Sequence, residues 1–398
     1  MTDISLPIVR MRPNKSPQRV RFGFPWIYND ELVLDRRAKN IPAGELVLVQ
    51  DNDRRPVAIC AFNANSKITA RVLALGDTLT LDQDWFAQKM RYAAAYRDRM
   101  FDKPFYRLFH AESDGMPGVI IDRFGDAFVV QPNAAWADMR MDMIAAALRD
   151  VFDAAVIVKN ATGRARGLEG LNEDSALLHG AIDAPIPTPM NNATYMADLL
   201  GGQKTGLFYD QRPNHAFAAN LAKDCDVLDV FSHVGGFSLA ALAAGAKSAL
   251  AVDASTPALE LATAGANASG HGDRFSTERG DAFDVMDGLA KDGRQFDVVV
   301  CDPPAFAPAK PALDKGLRAY ERVARMGAAL VKPGGFLVLC SCSHAADLAK
   351  FRTASLRGMG KSGRSGQIIH TGGAGADHPV HPHLAESSYL KSLFLRLN

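Results

Sequence analysis

From Cys225 to Cys340 the chain alternates short, almost wholly apolar runs with Ala- and Leu-rich helical stretches, and that rhythm constrains the fold more than any other feature. Val227-Leu-Asp-Val230, Ala249-Leu-Ala-Val252, Phe296-Asp-Val-Val-Val-Cys301 and Gly335-Phe-Leu-Val-Leu-Cys340 read as strands covered on both faces, because a half-exposed strand would alternate apolar with polar residues. A further strand is expected just before Gly280. Such strands with helices between them build a doubly wound, parallel α/β sheet of Rossmann-like type. The ending breaks the rhythm: Gln367-Ile-Ile-His370 and Tyr389-Leu-Lys-Ser-Leu-Phe-Leu-Arg-Leu397 are joined by an irregular connection. A terminal hairpin with one antiparallel strand fits, for a seven-stranded sheet.

That sheet accounts for about half of the chain, and 398 residues exceed one ordinary core. Residues 1–75 have short alternating runs such as Glu45-Leu-Val-Leu-Val-Gln50 and Val57-Ala-Ile-Cys-Ala61, punctuated by Gly, Pro and Asp-Asn, and read as a small β-barrel. Residues 76–190 read as an α+β linking domain. In it a helix over Asp77 to Asp102 ends at Pro104, and strands at Val119–Asp122 and Ala127–Gln131, a helix from Asp138 to Asp150 and a strand at Ala155–Lys159 follow, in the order strand, strand, helix, strand, with a last strand beyond. Residues 191–398 hold the doubly wound sheet.

Composition excludes several classes. No apolar run approaches the roughly 18 residues of a membrane span, and the start lacks the pattern of a secretory signal, so a cytoplasmic location and no membrane partner are expected. Five cysteines, Cys60, Cys225, Cys301, Cys340 and Cys342, are an odd number without Cys-x-x-Cys spacing, which suggests neither disulfides nor a metal site. A net charge of +1 says nothing about nucleic acid, which responds to local charge.

In an open α/β sheet the ligand lies beyond the C-terminal ends of the strands. After the first strand comes Asp229-Val-Phe231-Ser232-His-Val-Gly235-Gly236-Phe237-Ser238, whose glycines let a ligand approach the backbone. After the second come Asp253 and Ala254, where the carboxylate suits ribose hydroxyls. Gly280-Asp281-Ala282 follows the third strand, placing an acidic group for an adenine amino group, and Asp302-Pro-Pro-Ala-Phe306 ends the fourth. Each alone is an ordinary turn; four in register on successive strands mark a ligand edge. The first turn is not Gly-x-Gly-x-x-Gly, so a phosphate-free nucleoside such as S-adenosylmethionine fits better than a dinucleotide, which disfavours a dehydrogenase.

At these residues the chain resembles class I methyltransferases, and more closely the bacterial 23S rRNA cytosine-carbon-5 methyltransferases with an N-terminal PUA domain. The resemblance spans nearly the whole chain. It rests on Phe24-Pro-Trp-Ile-Tyr28, Phe62-Asn63, Arg71-Val-Leu73, Glu112-Ser-Asp-Gly-Met-Pro-Gly118 and Asp122-Arg-Phe-Gly-Asp126. Most specific are Gly202-Gln-Lys-Thr-Gly206 with Asp210-Gln-Arg212, Asp302-Pro-Pro-Ala-Phe306, Ser341-Cys-Ser343, and Asp377-His-Pro379 with Tyr389-Leu-Lys391. The resemblance implies that Lys204, Thr205, Gly206, Phe208, Asp210 and Arg212 form a wall that closes over the cofactor; the plain alternative is an interdomain hairpin. His233 departs from the family pattern, and Ala385-Glu-Ser-Ser388 replaces its Pro-Glu-Gly, which bears on the substrate-facing rim.

Carbon 5 of cytosine is a poor nucleophile, and its methylation calls for a thiolate that adds at carbon 6. Cys340 and Cys342 both lie near the end of the fifth strand, and position does not choose between them; the family's Ser-Cys-Ser matches Cys342. The plain alternative is a small buried hydrophobe. Asp302 is expected to hold the base's polar edge, and Phe306 either stacks on the base or packs in the core. Cys301 reads as core.

RNA, most specifically 23S rRNA, is expected to lie across Arg10, Arg12, Arg19, Arg21, Lys159, Arg164 and Arg166, although surface arginines are more often a solvated face. Two rival readings stand: methylation of an exocyclic amino nitrogen with Cys342 structural, and a non-catalytic RNA-binding or ribosome-assembly factor. Whether the chain acts alone or as a homodimer the sequence leaves open.

Overall fold

A computed structural model describes residues 6–201 and 206–398, with the side chain of Arg164 excepted. The chain divides into two compact units, one of Met1–Asp183 with Ala376–Ser387, the other of Ala184–Gly375 with Ser388–Asn398.

The first unit holds two five-stranded sheets. In the N-terminal one the strands Ile8–Arg10, Leu46–Gln50, Pro56–Phe62, Ile68–Leu75 and Trp26–Tyr28 are hydrogen-bonded in that spatial order. A bridge between Met11 and Leu32 ties the two edges, and Val9, Ile27, Val47, Val49, Cys60 and Ala70 fill the interior, which makes the expected barrel. The second sheet orders Ala176–His179, Val156–Lys159, Ala127–Pro132, Val119–Phe124 and Phe105–His110. Phe105–His110 is a strand beyond those read from the sequence. Its Phe-Tyr-Arg-Leu-Phe-His run follows Pro104 directly, and Tyr106 and Leu108 face the core in strand alternation. The preceding helix runs Gln83–Met100, shorter than expected because the Asp82 carboxylate caps it by accepting the Trp85 N–H at 2.9 Å. Phe86 and Trp136 stack at 6.1 Å between that helix and the sheet.

Asp377 belongs to this first unit. Its Oδ2 accepts the Arg107 N–H at 3.0 Å, its carbonyl accepts from buried Arg97 at 3.0 Å, and its Oδ1 lies 3.0 Å from His378 Nδ1. The Asp-His-Pro motif therefore pins its own segment.

The second unit is built on a seven-stranded sheet. In sequence order its strands are Asp226–Val230, Ser248–Asp253, Phe275–Arg279, Phe296–Cys301, Val331–Ser341, Gly366–Gly372 and Lys391–Leu397. Their spatial order is third, second, first, fourth, fifth, seventh, sixth, and only pairings with Lys391–Leu397 are antiparallel. This is the Rossmann-like sheet with a terminal antiparallel hairpin that the apolar rhythm predicts. One face buries Leu228, Val230, Val299, Leu337 and Leu339 under the helices Ala282–Lys291, Leu313–Ala329 and Leu348–Lys361. The other buries Val227, Val298, Val300 and Val338 under Arg212–Asn220 and Gly236–Ala243. The order reverses between the first and fourth strands, so the crevice beyond Val230 and Cys301 is the switch point where ligands of such sheets bind.

Candidate active site

The turn after the first strand is shaped by backbone conformations that side chains rarely allow. Phe231, His233 and Gly235 all have positive φ, at 63°, 49° and 79°. Two of the three are not glycine, so the surrounding contacts hold strain that a free turn would release. Ser232 N–H donates to Val252 O at 3.0 Å and His233 N–H to Asp253 Oδ2 at 2.9 Å, which fixes the turn against the second strand. Asp253 Oδ1 also accepts from Ser255 N at 2.9 Å, so its carboxylate is oriented by two amides. Ala254 beside it is exposed.

Beneath the turn Asp229 is fully buried. Its Oδ2 accepts from Ser238 N at 3.0 Å and Oγ at 2.9 Å. Burial raises its carboxyl to about 6, against which the Ser238 bonds act, while the charge of Asp253 adds to the rise. Among the described residues, Asp229 Oδ1, Ser232 Oγ and Asp210 Oδ1 are buried with no hydrogen-bond partner. Buried polar atoms are rarely left so. With the glycine turn between Asp229 and Phe237, these three atoms fit a polar ligand such as a nucleoside.

Gly235 and Gly236 are demanded by space as well as by φ. A Cβ on Gly235 would lie 3.2 Å from Ala262 and 3.3 Å from Leu239, and one on Gly236 would lie 2.6 Å from the His215 ring. His215 packs edge-on against Phe237 at 4.5 Å and is fully enclosed, so burial lowers its pKa to about 3 and keeps it neutral.

Asp281, by contrast, is exposed and caps the helix Ala282–Lys291, accepting from Phe283 N at 2.9 Å and Asp284 N at 3.3 Å. Ala282 is buried behind it. Lys204 and Thr205 lie outside the described residues. Gly206 has φ 92°, and a Cβ there would meet Asp198 O at 2.8 Å. Phe208 packs edge-on against His233 at 4.9 Å, which brings the segment before the first strand against the glycine turn. Asp210 Oδ2 accepts from the Tyr389 hydroxyl at 2.5 Å, and Arg212 opens the helix Arg212–Asn220 with its guanidinium 5.3 Å from the Tyr209 ring.

Asp302 stands at the switch point: its N–H donates to Val230 O at 3.2 Å, and its Oδ2 accepts from Gln211 Nε2 at 2.9 Å. Gln211 is itself held by Asn214, whose Nδ2 donates to Gln211 Oε1 at 2.6 Å. Gln211 lies inside the Asp-Gln-Arg motif, but nothing in that motif signals that its amide faces Asp302. Phe306 sits among Phe231 at 6.4 Å, Phe283 at 6.4 Å and Tyr320 at 5.1 Å, so the geometry gives it a packing role.

The Asp-Pro-Pro loop is tied to the Ser-Cys-Ser turn. Ala307 N–H donates to Ser343 Oγ at 2.9 Å, and the Tyr320 hydroxyl lies 2.7 Å from Ser343 Oγ and accepts from Ser341 Oγ at 2.9 Å. Ser341 and Ser343 are fully buried, and strand alternation leaves Cys342 between them partly exposed. Cys301 and Cys340 are buried, and burial pushes both thiols up, with the charge of Asp302 adding to the rise at Cys340 and that of Asp229 at Cys301. Of the two cysteines at the end of the fifth strand, Cys342 is the more exposed. Lys391, in the Tyr389-Leu-Lys391 motif, donates from Nζ to Ser343 O at 2.6 Å.

The basic residues behave differently from one another. Arg10 is exposed, Arg12 donates to Leu32 O at 3.0 Å, Arg19 pairs with Glu31 at 2.9 Å and lies 3.9 Å over the Phe24 ring, and Arg21 pairs with Asp51 at 2.8 Å. The expectation that Arg166 presents a surface charge is corrected: it is 0% exposed, bonded to Pro132 O, Asn172 O and Asp138. A buried guanidinium needs such a full set of acceptors, and these leave nothing for phosphate. Lys159 pairs with the same Asp138 at 2.7 Å. Among the described residues no group of three or more His, Cys, Asp or Glu could hold a metal, and no helix is long and apolar enough to cross a membrane.

A family model described as S-adenosylmethionine-dependent methyltransferase matches residues 186–360, and one described as a PUA-like domain matches residues 9–75. Ribosomal RNA large subunit methyltransferase I of Aeromonas salmonicida is 33% identical over 94% of this chain and 95% of its own. The protein of the same description from Vibrio vulnificus is 34% identical over 92% and 94%. Among solved structures, SMU.776 in complex with SAH superposes with a TM-score of 0.81 at 20% identity, over 99% of this chain and 100% of its own, a likeness of fold.

Proposed function

We propose that this chain, which belongs to the ribosomal RNA large subunit methyltransferase I family and uses S-adenosylmethionine, methylates carbon 5 of a cytosine in 23S ribosomal RNA through a covalent adduct on Cys342. The RNA enters as substrate because the relatives are described by it and because a PUA-like domain precedes the sheet. A cytoplasmic site of action, and three domains divided near residues 75 and 190, belong to the same reading.

The observation that carries the choice of carbon 5 is the contrast between thiols. Cys342 is partly exposed on a turn whose flanking serines are anchored to Tyr320 and to the Asp302 loop, whereas Cys301 and Cys340 are sealed in the sheet. A methylase acting on an amino nitrogen needs no such thiol.

S-adenosylmethionine, when bound, supplies an electrophilic methyl group. Asp229, Ser232, Gly235, Gly236 and Asp253 would hold it, with Asp210 and Phe208 on the other side and Asp281 nearer its base. The chain's own chemistry lies at the cytosine. The Cys342 thiolate adds to carbon 6, which moves electron density to carbon 5. Asp302, oriented by Gln211, holds the polar edge of the ring while charge builds there. With the donated methyl group bonded to carbon 5, a solvent water takes the carbon-5 proton, the C–H electrons restore the ring's double bond, the carbon–sulfur bond breaks and the thiolate is regained. A cytosine paired in a helix must first be flipped out.

Incubation with 23S rRNA and labelled S-adenosylmethionine, followed by nucleoside mass spectrometry, tests this. 5-Methylcytidine is expected; a methyl group on an exocyclic nitrogen would reject carbon 5, and no incorporation would favour a non-catalytic assembly factor.

A further inference from the structure

We propose that Lys391 is a positioning residue for the Cys342 thiolate, its ammonium clamping the Ser343 carbonyl and setting a positive charge beside the sulfur. The proposal rests on the reading of Cys342 as nucleophile.

The geometry comes from the antiparallel strand. Lys391 is the first residue of Lys391–Leu397, and its register partner is Ser341, the last residue of the fifth strand. The pairing therefore stops where the Ser-Cys-Ser turn begins, and the long lysine side chain reaches past it. Its Nζ donates to Ser343 O at 2.6 Å. That carbonyl belongs to the residue after Cys342, so the bond anchors the Ser343–His344 peptide, one residue beyond the thiol.

A lysine only 8% exposed is uncommon, because burying an ammonium is costly unless a negative partner offsets the lost water. The partner at hydrogen-bond distance is a neutral carbonyl, which meets one of three N–H donors but not the charge. Burial accordingly lowers the Lys391 pKa, and the opposing influences are first the negative charge of Cys342 and then that of Asp347. Coulomb interaction is mutual, so an ammonium favoured by the thiolate favours the thiolate in return.

Among the described residues, Tyr320, Asp302 and Asp347 do not supply that charge. Tyr320, on the helix Leu313–Ala329, bonds to Ser341 and Ser343, and burial raises its pKa, so it is neutral across the working range. Asp302, beyond the fourth strand, is an anion that disfavours a thiolate at Cys340. Asp347, on the loop after Cys342, acts on Lys391 and is itself drawn into the cap of the helix Leu348–Lys361. Lys391 is a cation that the strand pairing brings close to the Ser-Cys-Ser turn.

The test is the pH profile of Cys342 alkylation by iodoacetamide in the full chain, mapped by peptide mass spectrometry, with S-adenosylmethionine binding as the check on folding. In the unaltered protein the midpoint is expected below about 8.5, the value of an ordinary thiol. Lys391→Met should slow alkylation at neutral pH by about tenfold, as a one-unit rise in midpoint requires, with the methyl-transfer rate recovering as pH rises. Lys391→Arg should restore most of both. An unshifted profile in Lys391→Met overturns the proposal, since a merely structural lysine would not move the thiol's titration. Should that variant fail to bind cofactor, the unaltered protein decides, and a midpoint at or above about 8.5 overturns the proposal. Full methylation by Cys342→Ala would instead sink the covalent reading while leaving the thiol profile to report on the charge.

Discussion

Gln211 Nε2 donates to Asp302 Oδ2 at 2.9 Å, across the point where the strand order of the sheet reverses. The glutamine sits on a short 3-10 turn before the first strand, and its own carbonyl oxygen is held by Asn214. The orientation of the carboxylate at the substrate end is therefore set by a residue from a different element.

Gln211→Leu keeps the volume and removes the donor. Asp302 then loses a charge-assisted bond, and stability is expected to fall by about 2 kcal/mol. Turnover should fall by at least about tenfold, because a loosened reacting group loses alignment. Thermal melts and single-turnover methylation check this; unchanged turnover would show that Asp302 needs no support.

Asp229 makes stability depend on pH. Its folded pKa, about 6, lies above the ordinary 3.8, so the folded chain holds the proton more tightly than the unfolded chain. The stabilisation is complete below 3.8 and is lost as pH rises through about 6. At neutral pH the ionised group costs up to about 3 kcal/mol. Asp229→Asn should thus melt higher than the parent at neutral pH, with the gap narrowing in acid, while cofactor affinity measured by calorimetry drops. A gap that widens in acid would contradict the assigned shift.

Gly235→Ala places a side chain at φ 79° and 3.2 Å from Ala262. The left-handed conformation alone costs about 1–2 kcal/mol. A lower melting temperature and weaker S-adenosylmethionine binding are expected together, by thermal melt and calorimetry. Loss of stability with affinity intact would separate this turn from the cofactor.

Arg166 offers a control for the RNA surface. Arg166→Ala breaks a buried pair with Asp138 and should cost about 3 kcal/mol. The salt dependence of RNA binding, which counts phosphate contacts, should stay the same. Arg10→Ala, at an exposed position, should reduce that slope without destabilising the chain.

The sheet was legible because nearly unbroken apolar runs such as Phe296–Cys301 have few other places to go, and the terminal hairpin because Tyr389–Leu397 has no helix before it. Phe105–His110 escaped because its Arg107 and His110 interrupt the apolar pattern, and a strand this short after a proline resembles a loop. The glycine turn, Asp253 and the Asp-Pro-Pro loop could be placed from strand ends alone. Gln211 and Lys391 could not, since their roles depend on which carboxylate or carbonyl the folded chain sets opposite them. Arg166 misled for the same reason: an arginine in Gly163-Arg-Ala-Arg-Gly167 looks exposed until its acceptors, Pro132 O and Asn172 O, are seen.

Cys342→Ala, measured for methyl transfer to 23S rRNA and for S-adenosylmethionine binding in the same preparation, tests the central claim most directly. Turnover should disappear while cofactor affinity stays within about twofold of the parent, a difference under 0.5 kcal/mol. Retention of full turnover would contradict a covalent adduct at this thiol.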